Sequence, residues 1–243
     1  IQKLLARAGV ASRREADRWL EAGRITVNGR TAAPGEKAAP TDTLAVDGQP
    51  VSQAQEVGGT RVLLLHKAPG TVTTRSDPQG RPTVFDPLPA PPQGRWIQVG
   101  RLDMPTTGLL LFTTDGDLAN ALMHPSRELE REYEARIEGT PEAVTLRRLT
   151  TGIELEDGLA RFLRAEVAGR AGGFTILRVV LAEGRKREVR RLLEAVGHPV
   201  RALTRVRFGP IALPPDLAEG EWRELPAGEV SALRQAAGLE AVE

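Results

Sequence analysis

Strand-like and helix-like segments follow one another in no regular order along most of this chain of 243 residues. Short apolar or alternating runs predict strands, and apolar residues at helical spacing predict helices. Strands are predicted at residues 62–65, 97–99, 109–113, 133–137, 174–181 and 200–206, and helices at 118–123, 141–149, 188–196 and 229–236. Thr140 is the expected N-cap of the helix that begins at Pro141. A doubly wound parallel sheet needs regular alternation, so we predict an α+β fold with a mixed or antiparallel sheet.

The first fifty-one residues have the pattern of a small unit of their own. Ser12 and Glu15 have the spacing of a capping box, which predicts the start of a helix. Short strand patterns follow, and Asn28-Gly29 and Asp47-Gly48 are typical hairpin turns. A helical hairpin followed by short strands is therefore expected here.

The chain divides by composition into two parts. Residues 52–60 are polar and contain glycine, which predicts a linker between a domain at 1–51 and a second domain at 61–243. The chain has no cysteine and only three widely separated histidines, which excludes thiolate chemistry and predicts no metal cofactor. No apolar run approaches the ~20 residues that a membrane helix needs, so no membrane partner is expected.

Charge is segregated along the chain, although the net charge is only +1. Residues 1–30 contain seven basic and three acidic side chains, residues 185–207 contain eight and two, and residues 216–243 contain two and seven. Two basic clusters are typical of a protein with a polyanionic partner, and solvated helix faces give the same pattern.

The N-terminal stretch VASRREADRWLEAGRITVNGR resembles the S4 RNA-binding domain, whose motif places arginines on the second helix and an Asn-Gly turn after a short strand. The resemblance implies that Lys3, Arg13, Arg14 and Arg18 bind RNA phosphates. The alternative is a small basic hairpin that packs on its own protein.

A loop between two apolar strands carries the most informative carboxylate. Asp103 lies beside Arg101 in a segment with proline and glycine, where a carboxylate is well placed for catalysis but equally well placed for a structural ion pair. Three further features favour catalysis: the single tyrosine, Tyr133, in an alternating strand, the bases clustered at 183–192, and a turn-rich loop at 75–82 with bases near both ends. Taken alone, Tyr133 is also compatible with a core position.

The stretch GRLDMPTTGLLLFTTDGDLANALMHPSRELEREYEARIEG closely resembles the RsuA/RluB family of ribosomal-RNA pseudouridine synthases, and the resemblance extends over nearly the whole chain. The family motif is G-R-L-D-x-x-T-x-G-L, followed by a strand with an essential tyrosine and by a basic segment. RSDPQGRPTVFD and MHPSRELEREY are most similar to the RluB branch, which modifies large-subunit RNA. The alternatives are a small-subunit target and a non-catalytic S4-type RNA-binding or ribosome-assembly protein. One departure is Lys67-Ala68-Pro69-Gly70, where the family usually has Lys-Pro-x-Gly.

The resemblance implies a role for each residue of the motif. Asp103 is the catalytic carboxylate, Tyr133 packs against the target uracil and assists proton transfer at C5, and Arg190 pairs with the aspartate. Thr106 and Gly108 support the loop. The residues expected to contact RNA in this domain are Arg75, Arg81, Arg101, Arg185, Lys186 and Arg187, of which Arg101 enters the space left by the flipped base.

Conversion of uridine to pseudouridine breaks the N1–C1′ bond and forms a C5–C1′ bond without a redox step, so the resemblance implies no cofactor. It implies one ionised carboxylate, which attacks C1′ or C6 or stabilises developing charge. We expect a structured stem-loop of ribosomal RNA with an extruded base as substrate. We also expect a monomer that acts in the cytoplasm.

Overall fold

The computed structural model of the chain describes residues 1–51, 59–91 and 94–240. It forms two compact units: the first comprises Ile1–Arg61, Pro89–Ile97 and Thr113–Asp117, and the second comprises Val62–Leu88, Gln98–Phe112 and Leu118–Glu243. The first unit thus takes in two short segments from later in the chain. Residues 52–58 of the predicted linker lie outside the described residues.

The N-terminal part of the first unit contains two helices, α1 (Gln2–Arg7) and α2 (Arg13–Glu21), and four short strands. The strands are β1 (Ile25–Val27), β2 (Arg30–Thr31), β3 (Leu44–Val46) and β4 (Gln49–Pro50), in the sheet order β2-β1-β3-β4. The helices and strands share a core in which Leu5, Ala16, Leu20, Ile25 and Leu44 are at most 2% exposed.

The predicted local signals are confirmed in this part. Ser12 Oγ accepts a hydrogen bond from the Glu15 backbone N–H at 3.1 Å, and the Glu15 carboxylate accepts one from the Ser12 N–H at 3.3 Å, so the capping box is present. Asn28 and Asp47 both have a φ of 51° and each precedes a glycine with positive φ. Two consecutive positive φ angles define the hairpin turn that the Asn-Gly and Asp-Gly pairs predicted.

From residue 62 onward the chain forms eleven strands, four helices and a single 3₁₀ turn at Pro125–Arg127 among the described residues. The strands are β5 (Val62–Lys67), β6 (Ile97–Val99), β7 (Thr106–Thr113), β8 (Arg131–Ile137), β9 (Ile153–Leu155), β10 (Gly158–Ala160), β11 (Arg164–Ala171), β12 (Phe174–Leu181), β13 (Val200–Phe208), β14 (Ile211–Ala212) and β15 (Trp222–Glu224). The helices are α3 (Gly116–Met123), α4 (Ala143–Thr151), α5 (Glu188–Glu194) and α6 (Ala227–Ala236).

The main sheet has the strand order β11-β12-β8-β13-β7-β5-β15. β13 and β7 pair in parallel, whereas β11 with β12, β12 with β8, β8 with β13, and β15 with β5 pair antiparallel. The sheet is therefore mixed, and the α+β prediction is confirmed.

One face of the outer part of this sheet packs on helices, and the other is charged. In β8, Tyr133, Ala135 and Ile137 face a core that includes Leu192 and Leu193 of α5. The opposite face carries cross-strand ion pairs between Arg164, Arg178 and Arg207 and the carboxylates of Glu130, Glu132 and Glu134. A shallow hollow of about 90 Å³ on this face is lined by Glu134, Arg136, Ile176, Ala202 and Thr204.

Several predicted boundaries were wrong. The helix expected to begin at Pro141 behind Thr140 begins at Ala143, because the Thr140 hydroxyl bonds to Thr175 Oγ1 at 3.2 Å instead of capping. The strand predicted at 109–113 starts at Thr106, so Thr106 and Gly108 belong to the strand rather than to a loop. The exposed strand β11 was not predicted, because its alternation of polar and apolar residues ends after Val167 and pairing with β12 defines the strand.

Candidate active site

Asp103 lies in a tight turn just before β7. The Thr106 N–H donates to the Asp103 carbonyl oxygen at 2.9 Å, which closes a four-residue turn with Met104 and Pro105 at its tip. The Asp103 side chain is 40% exposed, so its carboxylate can be reached from solvent. The turn therefore presents a carboxylate at a defined place without burying it.

A buried lysine, to which the sequence analysis gave no role, supports this turn. Lys67, at the end of β5, is 0% exposed, and its Nζ donates to the carbonyl oxygens of Ala68 at 3.0 Å, Met104 at 3.1 Å and Thr106 at 2.9 Å. Its three N–H donors are thus matched by three acceptors, two of which belong to the turn. A lysine at the end of a strand, two positions after a run of four apolar residues, was the available signal.

Two further contacts hold the backbone on either side of Asp103. Thr73 Oγ1 donates to the Leu102 carbonyl oxygen at 2.6 Å and accepts from the Leu102 N–H at 3.4 Å. The Gly70 N–H donates to the Met104 carbonyl oxygen at 2.9 Å. The peptide groups before and after the aspartate are both held, which limits the positions that its carboxylate can take.

Burial lowers the pKa of Lys67 to about 8, and the charges of Asp103 and Glu219 oppose that shift. In neutral solution the ammonium form therefore still dominates, and Lys67 places a positive charge beneath the aspartate turn.

We expect the stability difference between wild type and Lys67→Met to change with pH between about 8 and 10.5. In this window the unfolded chain holds a proton on Lys67 that the folded chain has lost, so the stability contributed by this group rises with pH. At ~1.4 kcal/mol per pKa unit the rise is about 3 kcal/mol over the window. Urea unfolding of both proteins below and above the window measures it, and a constant difference would contradict it.

The nearest cation to the Asp103 carboxylate, among the described residues, is the guanidinium of Arg187. Its Nη1 lies 3.9 Å from Asp103 Oδ2, and the two side chains are 46% and 40% exposed. The expected pairing with Arg190 is not present as a direct ion pair. Arg187 has a φ of 53° at the N-cap of α5, where the turn brings its side chain to the aspartate.

Arg190 lies behind this pair and is only 9% exposed. Its Nη1 donates to the Val200 carbonyl oxygen at 3.0 Å, while its Nε and Nη2 are buried without a hydrogen-bond partner among the described residues. Burial lowers the pKa of the Arg190 guanidinium, Arg187 lowers it further, and Asp103 raises it. The last effect shows that Arg190 and Asp103 lie close enough to interact electrostatically.

The parallel pairing of β7 and β13 brings these groups together. Leu203 of β13 lies opposite Thr106 of β7, so both strands begin at the same end of the sheet. Asp103 precedes β7 at that end, and Val200, which accepts the Arg190 hydrogen bond, is the first residue of β13. Residues far apart in sequence thus meet at the start of two neighbouring strands.

Gly108 permits the close approach of these strands. It has a φ of 102°, and a Cβ atom there would lie 2.3 Å from the Arg205 carbonyl oxygen and 2.6 Å from the Arg205 backbone nitrogen. Arg205 is 2% exposed, and its Nε donates to the Leu109 carbonyl oxygen at 2.7 Å. Any side chain at 108 would push β7 from β13 and move the aspartate turn.

Tyr133 lies in the same row of the sheet, because Arg205 pairs with Tyr133 on one side and with Gly108 on the other. Its ring packs partly buried against the helix-covered core. Its hydroxyl makes no hydrogen bond within the part of the chain that the structure describes. Burial lowers the pKa of neighbouring Arg131, and Tyr133 raises it, so the two side chains are close.

Some of the other residues expected to contact RNA in this unit already have an intramolecular partner, and others do not. The Arg81 guanidinium pairs with Asp77 at 2.7 Å, and this bond lowers the pKa of Asp77 to about 2. Arg185 pairs with Glu183 at 2.6 Å, and Arg75 lies over the Phe85 ring at 4.3 Å. By contrast, Arg101 and Lys186 are exposed and make no ion pair or hydrogen bond with a described residue.

In the first unit, Arg13, Arg14 and Arg18 are exposed on α2 and make no ion pair with a described residue. Lys3 is half exposed, and its Nζ lies 2.9 Å from an Asp117 carboxylate oxygen. Three of the four predicted RNA-binding cations of this unit are therefore available to an outside anion, and the fourth has an intramolecular partner.

Within residues 1–51, 59–91 and 94–240, no three histidine or carboxylate side chains gather as they would around a metal ion. None of the helices in these ranges is long and apolar enough to cross a membrane.

The sequence matches two known families. Residues 61–195 match the family described as RNA pseudouridylate synthase, and residues 1–44 match the S4 domain. The chain belongs to the RNA pseudouridylate synthase family and carries an S4 domain at its N-terminal end. The resemblance predicted from the sequence motifs is confirmed.

Three curated relatives are named Ribosomal large subunit pseudouridine synthase B. The protein of Escherichia coli strain K12 is 50% identical over 240 residues, which are 97% of this chain and 82% of the relative. The protein of Vibrio cholerae is 50% identical over 237 residues, 97% of this chain and 74% of the relative. The protein of Pseudomonas aeruginosa is 48% identical over 244 residues and all of this chain, which spans only 63% of the relative.

A solved structure described as "Crystal structure of pseudouridylate synthase" has the same fold. It superposes with a TM-score of 0.66 at 24% identity and covers 96% of this chain and 98% of the solved one. At this identity the match supports the fold and leaves individual residue roles to be argued from the site itself.

Proposed function

We propose that this chain isomerises a uridine of large-subunit ribosomal RNA to pseudouridine, with Asp103 as the reacting carboxylate. One observation carries the proposal: an exposed aspartate on a rigid turn has an arginine at 3.9 Å and a second, buried arginine with unpartnered donors behind it. The two arginines place positive charge near the carboxylate, which suits a reaction that develops negative charge there. The names of the relatives support the large subunit as target.

The residues divide the work of this reaction. The Asp103 carboxylate attacks C1′ or C6 and forms a bond there, the N1–C1′ bond breaks, the uracil turns, and a C5–C1′ bond forms. The bond to Asp103 then breaks and returns the free carboxylate. The proton on C5 must then leave and N1 must gain one. The Tyr133 hydroxyl has no hydrogen bond to a described residue, which suits it to take the C5 proton while it passes its own proton on to N1 or solvent. Arg187 and Arg190 stabilise the anionic carboxylate before attack.

Two alternative functions would also use the N-terminal RNA-binding module. One is a small-subunit target, and the other is an RNA-binding protein without catalysis. Incubation of the purified chain with transcripts of the large- and small-subunit RNAs, followed by pseudouridine mapping, separates them. We expect one new pseudouridine in the large-subunit transcript. A product in the small-subunit transcript alone would change the target, and tight binding without product would leave only the binding function.

We further propose that residues 1–51 bind RNA, that 52–60 link them to a catalytic domain at 61–243, and that the chain acts as a monomer. The S4 match over 1–44 and the synthase match over 61–195 support this division. A ribosomal-RNA substrate is consistent with action in the cytoplasm.

Replacement of Arg13, Arg14 and Arg18 by alanine should weaken RNA binding and its salt dependence. A plot of log K against log salt concentration has a negative slope, and each lost phosphate contact reduces its magnitude by about 1. The slope of the triple variant should therefore be smaller in magnitude by about 2 to 3. Arg30→Ala is the matched control, because Arg30 is exposed in the same unit but paired with Glu36. Equal slopes for the triple variant and wild type would exclude these arginines from the RNA interface.

A further inference from the structure

The turn that holds Asp103 has an apolar tip. Met104, whose side chain is 43% exposed, and Pro105, which is also exposed, are its two central residues, here called the turn tip. An exposed apolar side chain by itself is ordinary. Two adjacent exposed apolar residues, directly after the proposed reacting carboxylate, indicate that this turn contacts an apolar surface of the substrate.

The backbone of the turn tip is rigid. The Met104 carbonyl oxygen accepts hydrogen bonds from Lys67 Nζ at 3.1 Å and from the Gly70 N–H at 2.9 Å. Pro105 fixes its own φ and narrows the conformations open to Met104. Thr106 closes the turn through its bond to Asp103. The backbone of the turn tip therefore needs little further ordering on binding.

We propose that Met104 and Pro105 form an apolar wedge that inserts between stacked RNA bases beside the target uridine and favours its extrusion. Methionine and proline are among the side chains that proteins insert between base steps, and the thioether of methionine adapts to the ring faces that it meets. The inference rests on the proposed function, because extrusion is needed only if Asp103 must reach the ribose or the base.

The charges around the turn fit this geometry. Arg187 is 46% exposed, Arg101 is exposed, and Lys186 is exposed on the segment that leads to Arg187. These cations suit the phosphates that flank an opened base step, whereas the turn tip carries no charge and suits the base faces. Because every base has such a face, the wedge would contact the neighbouring base whatever its identity.

The test uses the stem-loop around the uridine mapped in the experiment above, with and without an abasic residue in place of the neighbouring base. Met104→Gln should lower the single-turnover rate about 10- to 100-fold on the normal RNA, since unstacking costs a few kcal/mol, and should approach the wild-type rate on the abasic RNA. Met104→Leu should keep most of the rate. Met123→Gln is the matched control, because Met123 is 40% exposed on α3 and is the only other methionine.

The presence of only two methionines allows a direct structural readout. With ¹³C-methyl methionine, addition of the stem-loop should shift the Met104 methyl resonance upfield, because ring currents act on a methyl group stacked on bases, and should leave Met123 in place. This measurement does not depend on turnover.

The outcomes separate the wedge from the enzyme. If wild type forms pseudouridine while Met104→Gln is equally fast, or equally slow on both RNAs, or if the Met104 resonance does not move, the wedge is refuted and the synthase proposal stands. If wild type forms no pseudouridine in any ribosomal RNA, the proposed function itself fails.

Discussion

Asp103→Asn should reduce pseudouridine formation by more than about a thousandfold while RNA affinity changes little. The amide has the shape of the carboxylate but no charge and almost no nucleophilicity, and loss of an essential nucleophile has effects of this size. The fold should be unaffected, because the bonds that hold the turn are made by the backbone of Asp103 and its neighbours rather than by the carboxylate.

Single-turnover kinetics on the large-subunit transcript, together with binding measured on the same RNA, test this expectation. Asp77→Asn is a suitable control, because Asp77 is another carboxylate of this unit that pairs with an arginine, in this case Arg81. If Asp103→Asn retained more than about a hundredth of the wild-type rate, another group would carry the reaction.

Tyr133→Phe should bind RNA normally and form pseudouridine about a hundredfold or more slowly. The Tyr133 hydroxyl has no hydrogen bond to a described residue, so its removal breaks no bond in the fold and any loss of rate reports on the reaction. Acceptance of a proton from C5 is a role of this size for a positioned hydroxyl. The partly buried ring, which phenylalanine retains, would still pack against the core and the uracil.

Tyr133→Leu provides the comparison, because it removes the ring as well as the hydroxyl. Capture of a 5-fluorouridine RNA should persist in the phenylalanine variant and fall in the leucine variant. Near-normal turnover of Tyr133→Phe would remove the hydroxyl from proton transfer. Normal turnover of both variants would make Tyr133 a core side chain only.

Local elements were predictable where a short-range signal decides them. The capping box at Ser12 and the turns at Asn28-Gly29 and Asp47-Gly48 formed as expected, because their hydrogen bonds and φ preferences involve residues within a few positions. Thr140 does not cap its helix, because its hydroxyl is hydrogen-bonded to Thr175, which lies 35 residues further along the chain. A local sequence pattern does not predict a hydrogen-bond partner that lies on another strand.

The site shows the same division. The motif around Asp103 and the basic segment that follows β12 were recognisable in the sequence, and so was the family. The sequence did not show which arginine lies beside the carboxylate. Arg187 Nη1 lies 3.9 Å from Asp103 Oδ2, whereas Arg190 donates a hydrogen bond to the Val200 carbonyl oxygen. The left-handed turn at Arg187 decides this and has no clear signature in the sequence. The start of β13 at Val200 was predicted, but its contact with Arg190 was not.

By itself, the sequence determined the α+β class, the hairpin turns and the family, and it predicted the residue types of the proposed site, because these depend on local spacing and side-chain chemistry. Only the tertiary structure decided how the aspartate is held. Lys67 becomes a support for Asp103 because β5 ends beneath the turn, and Gly108 matters because β7 and β13 pair in parallel at Arg205. Such roles arise from contacts between distant segments, and those contacts exist only once the sheet has formed.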